Sequence, residues 1–243
     1  MTIAPEGDFW PGQLDNFRLT RYSRTIVKHQ GRRRWITEDF RPRPPRRLSP
    51  KREACIYLVM ASVTAFSLAE AITVLTRTPA TLNALLRGLP NIWVGCNEGK
   101  DTWSAFDIVG HLIVGERTDW MVRVQIIMEK GEARPFDRFD RFAQVQESHD
   151  KSLEQLLDVF THLREENLAG LQALNLRHED LTRQGKHPVL GVVTLSELLA
   201  TWVVHDLTHL HQISRVMAHQ YRDAVGPWSV YLGVLKCAGQ SAP

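Results

Sequence analysis

Two histidines one helical turn apart, within an otherwise apolar helix face, constrain this 243-residue chain most. His205 and His209 are four residues apart, so on a helix their imidazoles lie one above the other. The residues of that face follow the spacing of a buried stripe: Leu195, Leu198, Trp202, His205, His209, Gln212 and Val216. Burying two polar rings without partners is costly. The pattern therefore predicts a shared partner, and a divalent metal ion would satisfy both rings.

Composition is that of an ordinary globular protein. The hydrophobic fraction is 43% and the charged fraction is 23%. No run reaches the roughly 18 apolar residues of a membrane-spanning helix, and the first ten residues lack the apolar core of a secretory signal. Cys55, Cys96 and Cys237 are widely spaced and include no C-x-x-C pair. We therefore expect a cytoplasmic protein without a disulfide scaffold and without a membrane partner.

The first 59 residues differ from the rest of the chain in charge. They hold 13 lysines and arginines against 6 aspartates and glutamates, whereas residues 60–243 hold 17 against 21. Arginines and prolines alternate in the run 41–47, a composition that cannot build a packed core. We interpret residues 1–59 as a disordered basic leader or as a mis-assigned start upstream of Met60. A nucleic-acid or membrane-surface arm is the alternative, while the acidic balance of residues 60–243 excludes a basic nucleic-acid platform there.

Helix signals recur through residues 60–243. Ser104 and Thr194 each precede an acidic residue by three positions, which is the spacing of a capping box. Apolar residues at helical spacing predict four main helices, at about 78–88, 104–128, 148–174 and 194–221. The segments between them lack any period and are predicted to be loops: 91–102, 134–142 and 184–193.

No β-period and no Asn-Gly hairpin signal appears in the chain. The apolar tail, residues 226–235 with Trp228 and Tyr231, is expected to pack back on the helices as a short cap. The pattern as a whole predicts an all-α fold, a four-helix bundle whose sites are built from inward-facing side chains.

The metal interpretation needs a third ligand, because zinc sites usually take three protein ligands or more. Of the ten histidines, His111 differs in its setting: it lies in the apolar run 106–115, which contains no other histidine. Gly110 and Gly115 leave space beside it for a neighbouring helix or a ligand. A lone histidine in such a run is more often a core residue, but the buried pair on another helix favours the ligand interpretation.

Three motifs resemble those of the DinB-like superfamily. Residues 103–112 (WSAFDIVGHL) resemble the second helix of that family, residues 205–213 (HDLTHLHQI) its fourth, and residues 78–90 its first. The resemblance covers about residues 66–235. It implies a four-helix bundle with a divalent metal ion held by three histidines, here His111, His205 and His209. Family members characterised as enzymes include thiol-dependent S-transferases and a mycothiol-dependent maleylpyruvate isomerase.

Three imidazoles on a divalent ion leave at least one coordination position open, as in a catalytic site. That position can lower the pKa of a bound thiol for group transfer, or of water for hydrolysis. Zinc is the default ion, with nickel, iron and manganese allowed. Three functions stay open: a metal-dependent transferase or isomerase that uses a low-molecular-weight thiol, a metal-dependent hydrolase, and a non-catalytic stress-related module. The expected partners are a small-molecule substrate or thiol, and an exposed bundle face would allow a homodimer.

Polar residues near the histidines are expected to orient them. Gln212, three residues after His209, could bond to the site or to a backbone carbonyl. Asp206 points about 100° around the helix from its histidine neighbour, so we expect it to pair with Arg117 or with a neighbouring helix. Glu116 is expected to form a helix–helix ion pair with an arginine. No pattern identifies a catalytic residue or a thiol-binding pocket.

Overall fold

The computed structural model describes residues 66–140 and 142–237, and the backbone of two short segments before them. Those segments form antiparallel strands, β1 (Lys28–His29) and β2 (Arg32–Arg33). The expectation for residues 1–59, a disordered leader or a mis-assigned start, otherwise falls outside the described residues.

From residue 66 onward the described chain consists of helices and one β-hairpin. The helices are α1 (Leu68–Leu75), α2 (Thr78–Leu86), α3 (Asn91–Val94), α4 (Ala105–Thr118), α5 (Trp120–Glu129), α6 (Ala143–Ser148), α7 (Leu153–Ala173) and α8 (Leu195–His219). The hairpin strands are β3 (Gln184–His187) and β4 (Gly191–Thr194). Helix α7 packs against α2 and α4, while α8 packs against α1, α4 and α5. The four arms of the bundle are therefore α1 with α2, α4 with α5, α7, and α8.

Reciprocal capping boxes start the helices that carry the site. The Ser104 hydroxyl accepts from the backbone N–H of Asp107, whose carboxylate accepts from the backbone N–H of Ser104. Thr194 and Glu197 form the same arrangement at the start of α8. Each box satisfies two N–H groups that a helix start leaves without partners, so both predicted helix starts are confirmed.

Two predicted helices differ in detail from the structure. The second is divided at Asp119, which separates α4 from α5 with φ −115° and ψ −69°. The third begins at Leu153 rather than at residue 148, because Ser152 caps it. Residues 143–148 form the separate short helix α6. A turn with Asp150 at φ 57° lies between α6 and α7.

The prediction that residues 184–193 form a loop is wrong. Strands β3 and β4 pair antiparallel, with His187 opposite Gly191. Gly191 has φ 83°, a left-handed conformation that lets a three-residue turn close a hairpin without an Asn-Gly pair. The hairpin is attached to the bundle, since the backbone N–H of Phe136 donates to a β3 carbonyl at 2.9 Å. A Cβ at Gly185 would lie 2.8 Å from the Phe136 ring, so only glycine permits this close approach.

Two apolar clusters form the core. The first includes Leu82, Leu86, Ile108, Leu112, Leu156, Phe160 and Val216. The second includes Leu75, Trp120, Val124, Ile127, Leu171, Leu199 and Trp202. Both clusters draw residues from all four arms. Among the described residues, no helix combines the length and the apolar character needed to cross a membrane.

The C-terminal tail differs from the predicted cap. Two short 3-10 helices, Gly226–Tyr231 and Gly233–Leu235, follow α8, and the second contacts it. Trp228 is 69% exposed and Tyr231 is 79% exposed. The expected cap is therefore confirmed for the second 3-10 helix, whereas the expectation is wrong for these two aromatic side chains.

Candidate metal centre

Three histidine side chains from two helices meet inside the bundle. His111 lies on α4, and His205 and His209 lie one turn apart on α8. The Nε2 atom of His205 lies 3.2 Å from Nε2 of His111 and 3.1 Å from Nε2 of His209. The three residues offer ligand atoms that all lie within 4.8 Å of one another. The structure thus brings together all three residues that the sequence analysis selected.

The spacing of these nitrogens matches the edges of a metal coordination sphere. Bonds of about 2.0–2.1 Å from zinc to nitrogen place two ligand nitrogens about 2.9 Å apart at a right angle and about 3.4 Å apart at the tetrahedral angle. The observed separations of 3.2 and 3.1 Å fall between these limits. A proton could join only one pair of nitrogens at a time, whereas a cation contacts all three lone pairs. The donor set therefore fits a divalent ion.

Gln212 fixes the orientation of one of the three rings. Its Oε1 atom lies 2.8 Å from Nδ1 of His209, and both side chains are buried. An amide oxygen only accepts hydrogen bonds, so Nδ1 of His209 carries the proton and Nε2 presents its lone pair to the cluster. Of the two partners considered for Gln212, the structure shows the histidine.

Burial favours the neutral form of the two histidines of α8. Burial, reinforced by the neighbouring histidines and by the charge of Arg164, lowers the pKa of His205 to about 2. Burial also lowers the pKa of His209, although its hydrogen bond to Gln212 and the charge of Asp206 act in the opposite direction. The buried Nδ1 of His205 has no hydrogen-bond partner among the described residues. Neutral imidazole is the form that binds a metal ion, so both rings are ready to act as ligands near neutral pH.

A buried ion cluster joins all four arms, because the Thr78 hydroxyl of α2 donates to the same Asp206 oxygen that accepts from Arg164. Arg164 of α7 is 1% exposed. It donates to Glu116 Oε1 of α4 at 2.7 Å and to Asp206 Oδ2 of α8 at 2.6 Å. Nε1 of Trp202 donates to the same Glu116 oxygen at 3.1 Å. The helix–helix roles predicted for Glu116 and Asp206 are confirmed, and the partner of Asp206 is Arg164 rather than Arg117.

A pocket of about 380 Å³ opens onto the three histidines. The Trp103 and Phe139 rings lie 4.9 and 5.3 Å from the His111 ring, and Trp120 lies 5.0 Å from His205. Polar residues complete much of the lining: Asp119, Arg123, His187, Thr201, Thr208 and Gln212. None of these aromatic residues was predicted from the sequence to belong to the site. Their rings make the surroundings of the histidines apolar, which strengthens electrostatic interactions there.

An ion pair in the pocket was not predicted from the sequence. His111, Gly115, Asp119 and Arg123 follow one another at intervals of four, and all line the pocket. Asp119 Oδ1 lies 2.5 Å from Arg123 Nη2, and each side chain is 11% exposed. Burial raises the pKa of Asp119 to about 6, although Arg123 acts to lower it. The four-residue spacing from His111 was the signal that could have found both residues.

Comparisons with known proteins agree with this architecture. A model of the DinB superfamily matches residues 74–213, which is more than half of the chain and includes all three histidines. The chain is also similar to the solved structure of YfiT from Bacillus subtilis, with a TM-score of 0.54 and 18% sequence identity. The match covers 75% of this chain and 94% of that chain. YfiT is described as a probable metal-dependent hydrolase with an unusual four-helix bundle topology. This likeness shows the fold, so the predicted four-helix bundle is confirmed. No curated protein matches the chain.

Proposed function

This chain belongs to the DinB superfamily, and on that premise we propose that it is a divalent-metal-dependent enzyme that uses a low-molecular-weight thiol for group transfer or isomerisation. His111, His205 and His209 hold the ion through their Nε2 atoms. The observation that carries the proposal is the convergence of these nitrogens, 3.1 and 3.2 Å between neighbours, beside a pocket of small-molecule size. A divalent ion bound there would leave at least one coordination position open and would lower the pKa of a thiol that occupied it.

Two buried carboxylates near the histidines are engaged in positioning rather than in proton transfer. Glu116 and Asp206, the buried carboxylates closest in sequence to the ligands, are both held by Arg164. A thiol whose pKa falls towards neutrality needs no general base, whereas ester or amide hydrolysis also requires an acid for the leaving group. The rings of Trp103, Phe139 and Trp120 also make the surroundings of the histidines apolar. These features favour thiol chemistry over hydrolysis.

Hydrolysis is the second candidate, and Asp119 is the observation that favours it. Its carboxyl group lines the same pocket, and burial raises its pKa to about 6. A group with that pKa can take up and release a proton near neutral pH. The structurally similar YfiT is described as a probable metal-dependent hydrolase. Turnover of esters or amides without added thiol would distinguish this candidate from the first.

Three further assignments belong to the proposal. Zinc is the proposed ion, with nickel, iron and manganese as alternatives, because imidazole ligands select weakly among them. Residues 60–243 form the metal-binding domain. A cytoplasmic location would keep the thiol reduced. The third function considered, a non-catalytic module, requires bound metal without turnover of any substrate class.

Metal content is the first test of the proposal. Elemental mass spectrometry of the untagged full chain should find about one divalent ion per wild-type molecule and none in His111→Ala. His162→Ala, which alters an exposed histidine of α7, is the matched control and should keep the ion. A wild-type chain that binds no metal after reconstitution would contradict the centre.

The reaction class is tested on the same preparations. Metal-loaded wild type, but not His111→Ala, should conjugate a bacterial thiol to an electrophile such as 1-chloro-2,4-dinitrobenzene. No conjugation with any common thiol, together with ester turnover, would assign the hydrolase instead.

A further inference from the structure

Two hydrogen-bond donors line a part of the pocket that the proposed metal centre does not use. Arg123 comes from α5 and His187 from β3, and both line the same pocket as the three histidines. Arg123 lies about three helical turns beyond His111 along the chain. The backbone of Arg123 is therefore well separated from the proposed metal ligands. The hairpin brings His187 to the same pocket from a different part of the chain.

The Arg123 guanidinium is held on two sides. Its Nη2 atom pairs with Asp119 Oδ1 at 2.5 Å, and its Cζ atom lies 5.2 Å from the centre of the Phe136 ring. A guanidinium carries five N–H donors, and the ion pair to Asp119 in the described chain uses one nitrogen. Arg123 therefore keeps donors for a second acceptor. With a side chain only 11% exposed, it offers them in a largely desolvated setting.

His187 offers a second donor, because its tautomer is set by the hairpin turn. The backbone N–H groups of Val189 and Leu190 both donate to its Nδ1 atom, at 3.2 and 3.0 Å. A nitrogen that accepts hydrogen bonds does not carry the proton, so Nε2 carries it in the neutral ring. Burial, and then the charge of Arg123, lower the pKa of His187 and so favour that neutral form.

From this arrangement we infer that Arg123 and His187 form a carboxylate-binding subsite, so that the pocket takes a molecule with a carboxylate group and an apolar body. Guanidinium and carboxylate match in shape and charge and form paired hydrogen bonds. Asp119 occupies one side of the guanidinium and orients it. A cationic ligand would be repelled by Arg123 and by a bound divalent ion. The rings of Trp103 and Trp120 provide apolar surface for the rest of the ligand.

This inference rests on the proposed function, because it names a carboxylate as a chemical group of the substrate or thiol. The subsite itself needs no metal ion, because its donors belong to the protein. Binding can therefore be measured with and without metal, and the two proposals can fail separately.

The test compares two ligands of nearly equal shape, 4-phenylbutyrate and its neutral amide, 4-phenylbutanamide. Each is titrated against the full chain, both metal-free and zinc-loaded, by isothermal calorimetry and by quenching of tryptophan fluorescence. The carboxylate should bind at least about tenfold more tightly than the amide, because hydrogen bonds to charged groups are the strong ones. Arg123→Gln should remove this preference in the metal-free form and lower it in the zinc-loaded form, where the ion itself also binds a carboxylate. Arg117→Gln is the control: Arg117 pairs with Glu147 and is not part of the pocket lining, so the preference should persist.

Several outcomes would overturn the subsite. Equal binding of the two ligands by wild type, no binding of either, or a preference that survives in metal-free Arg123→Gln would each do so. If Arg123→Gln loses helical content by circular dichroism, His187→Ala replaces it and should lower the preference severalfold while affinity for the amide stays unchanged. A failure of the proposed function looks different: wild type would bind no metal yet still prefer the carboxylate.

Discussion

The Oε1 atom of Gln212 lies 2.8 Å from the Nδ1 atom of His209, and this hydrogen bond connects one ring of the histidine cluster to the next turn of α8. The contact holds the ring in one tautomer, with Nε2 directed at the other two histidines. A ligand already in the required tautomer and orientation binds without rearrangement, which is why partners of metal ligands affect affinity strongly.

Replacing Gln212 should therefore weaken metal binding without removing a ligand. We expect Gln212→Leu to lower zinc affinity about 10- to 100-fold, as measured by competition with a chromogenic chelator. Gln212→Glu keeps an acceptor for Nδ1–H and should bind zinc as tightly as wild type or more tightly. Equal affinities for the leucine variant and wild type would show that this hydrogen bond does not position His209.

Removing a ligand should abolish binding altogether. His205→Ala is expected to lose stoichiometric metal while keeping the helical circular dichroism spectrum of wild type. An ion that binds only the folded state raises the melting temperature, so chelation should lower the melting temperature of wild type and leave that of the variant unchanged. Unchanged metal content in His205→Ala would refute the assigned site.

Arg164 is expected to be a major determinant of stability, because it is the cation that pairs with two buried carboxylates. Arg164→Met leaves Glu116 and Asp206 buried without it and should lower the free energy of unfolding by about 3–5 kcal/mol. Arg87→Met, at a solvent-exposed ion pair, should cost no more than about 1 kcal/mol. Urea unfolding of both variants measures the difference, and similar losses would argue against a special role for the buried cluster.

Asp119 should give the protein a distinctive pH dependence. Burial raises its pKa from 3.8 to about 6, so the folded state holds this proton more tightly than the unfolded state does. Its contribution to stability is therefore most favourable below about pH 4 and is lost as the pH rises through about 6. A shift of about two pH units corresponds to roughly 3 kcal/mol.

The variant Asp119→Asn isolates this effect. The free energy of unfolding of the variant, relative to that of wild type, should rise by up to roughly 3 kcal/mol between about pH 4 and pH 7. The reason is that only wild type must ionise a buried carboxyl group at position 119. Urea unfolding of the metal-free proteins at several pH values gives the comparison. Asp158→Asn, at an exposed position, should show no such trend. If the difference in free energy of unfolding between Asp119→Asn and wild type did not change with pH, burial would not raise the pKa of Asp119.

Deleting residues 1–59 should leave the metal centre intact. The side chains of the histidine cluster and of the pocket belong to residues 103–212. The shortened chain should therefore keep its helical spectrum and its metal content. Loss of metal would contradict a domain that begins at residue 60, whereas a loss of measurable DNA affinity would identify the deleted segment as a nucleic-acid-binding arm.

Local signals were enough to predict the helices that carry the site. The capping pairs at Ser104 and Thr194 mark where α4 and α8 begin, because cap geometry involves residues only three positions apart. The spacing of His205 and His209 places both on one face for the same reason. His111 was selected by its apolar setting and by the resemblance to a family, not by any signal that measures its distance from α8.

Features that depend on contacts between distant segments were missed. The hairpin lacks an Asn-Gly turn and depends on Gly191 and on close packing of Gly185 against Phe136. Arg164 carried no signal of its own, since its partners lie 48 and 42 residues away along the chain. The subsite of Arg123 and His187 likewise joins a helix to a hairpin.

The sequence by itself determined which residues share a helix face, because backbone geometry sets the positions of residues three and four apart whatever surrounds them. It thus placed two histidines side by side and surrounded them with apolar residues. Only the tertiary structure decided that the Nε2 atom of His111 lies 3.2 Å from that of His205. It also decided which polar groups line the pocket around the two rings. Those distances depend on how helices and a hairpin pack, and packing is set by contacts between side chains far apart in the chain.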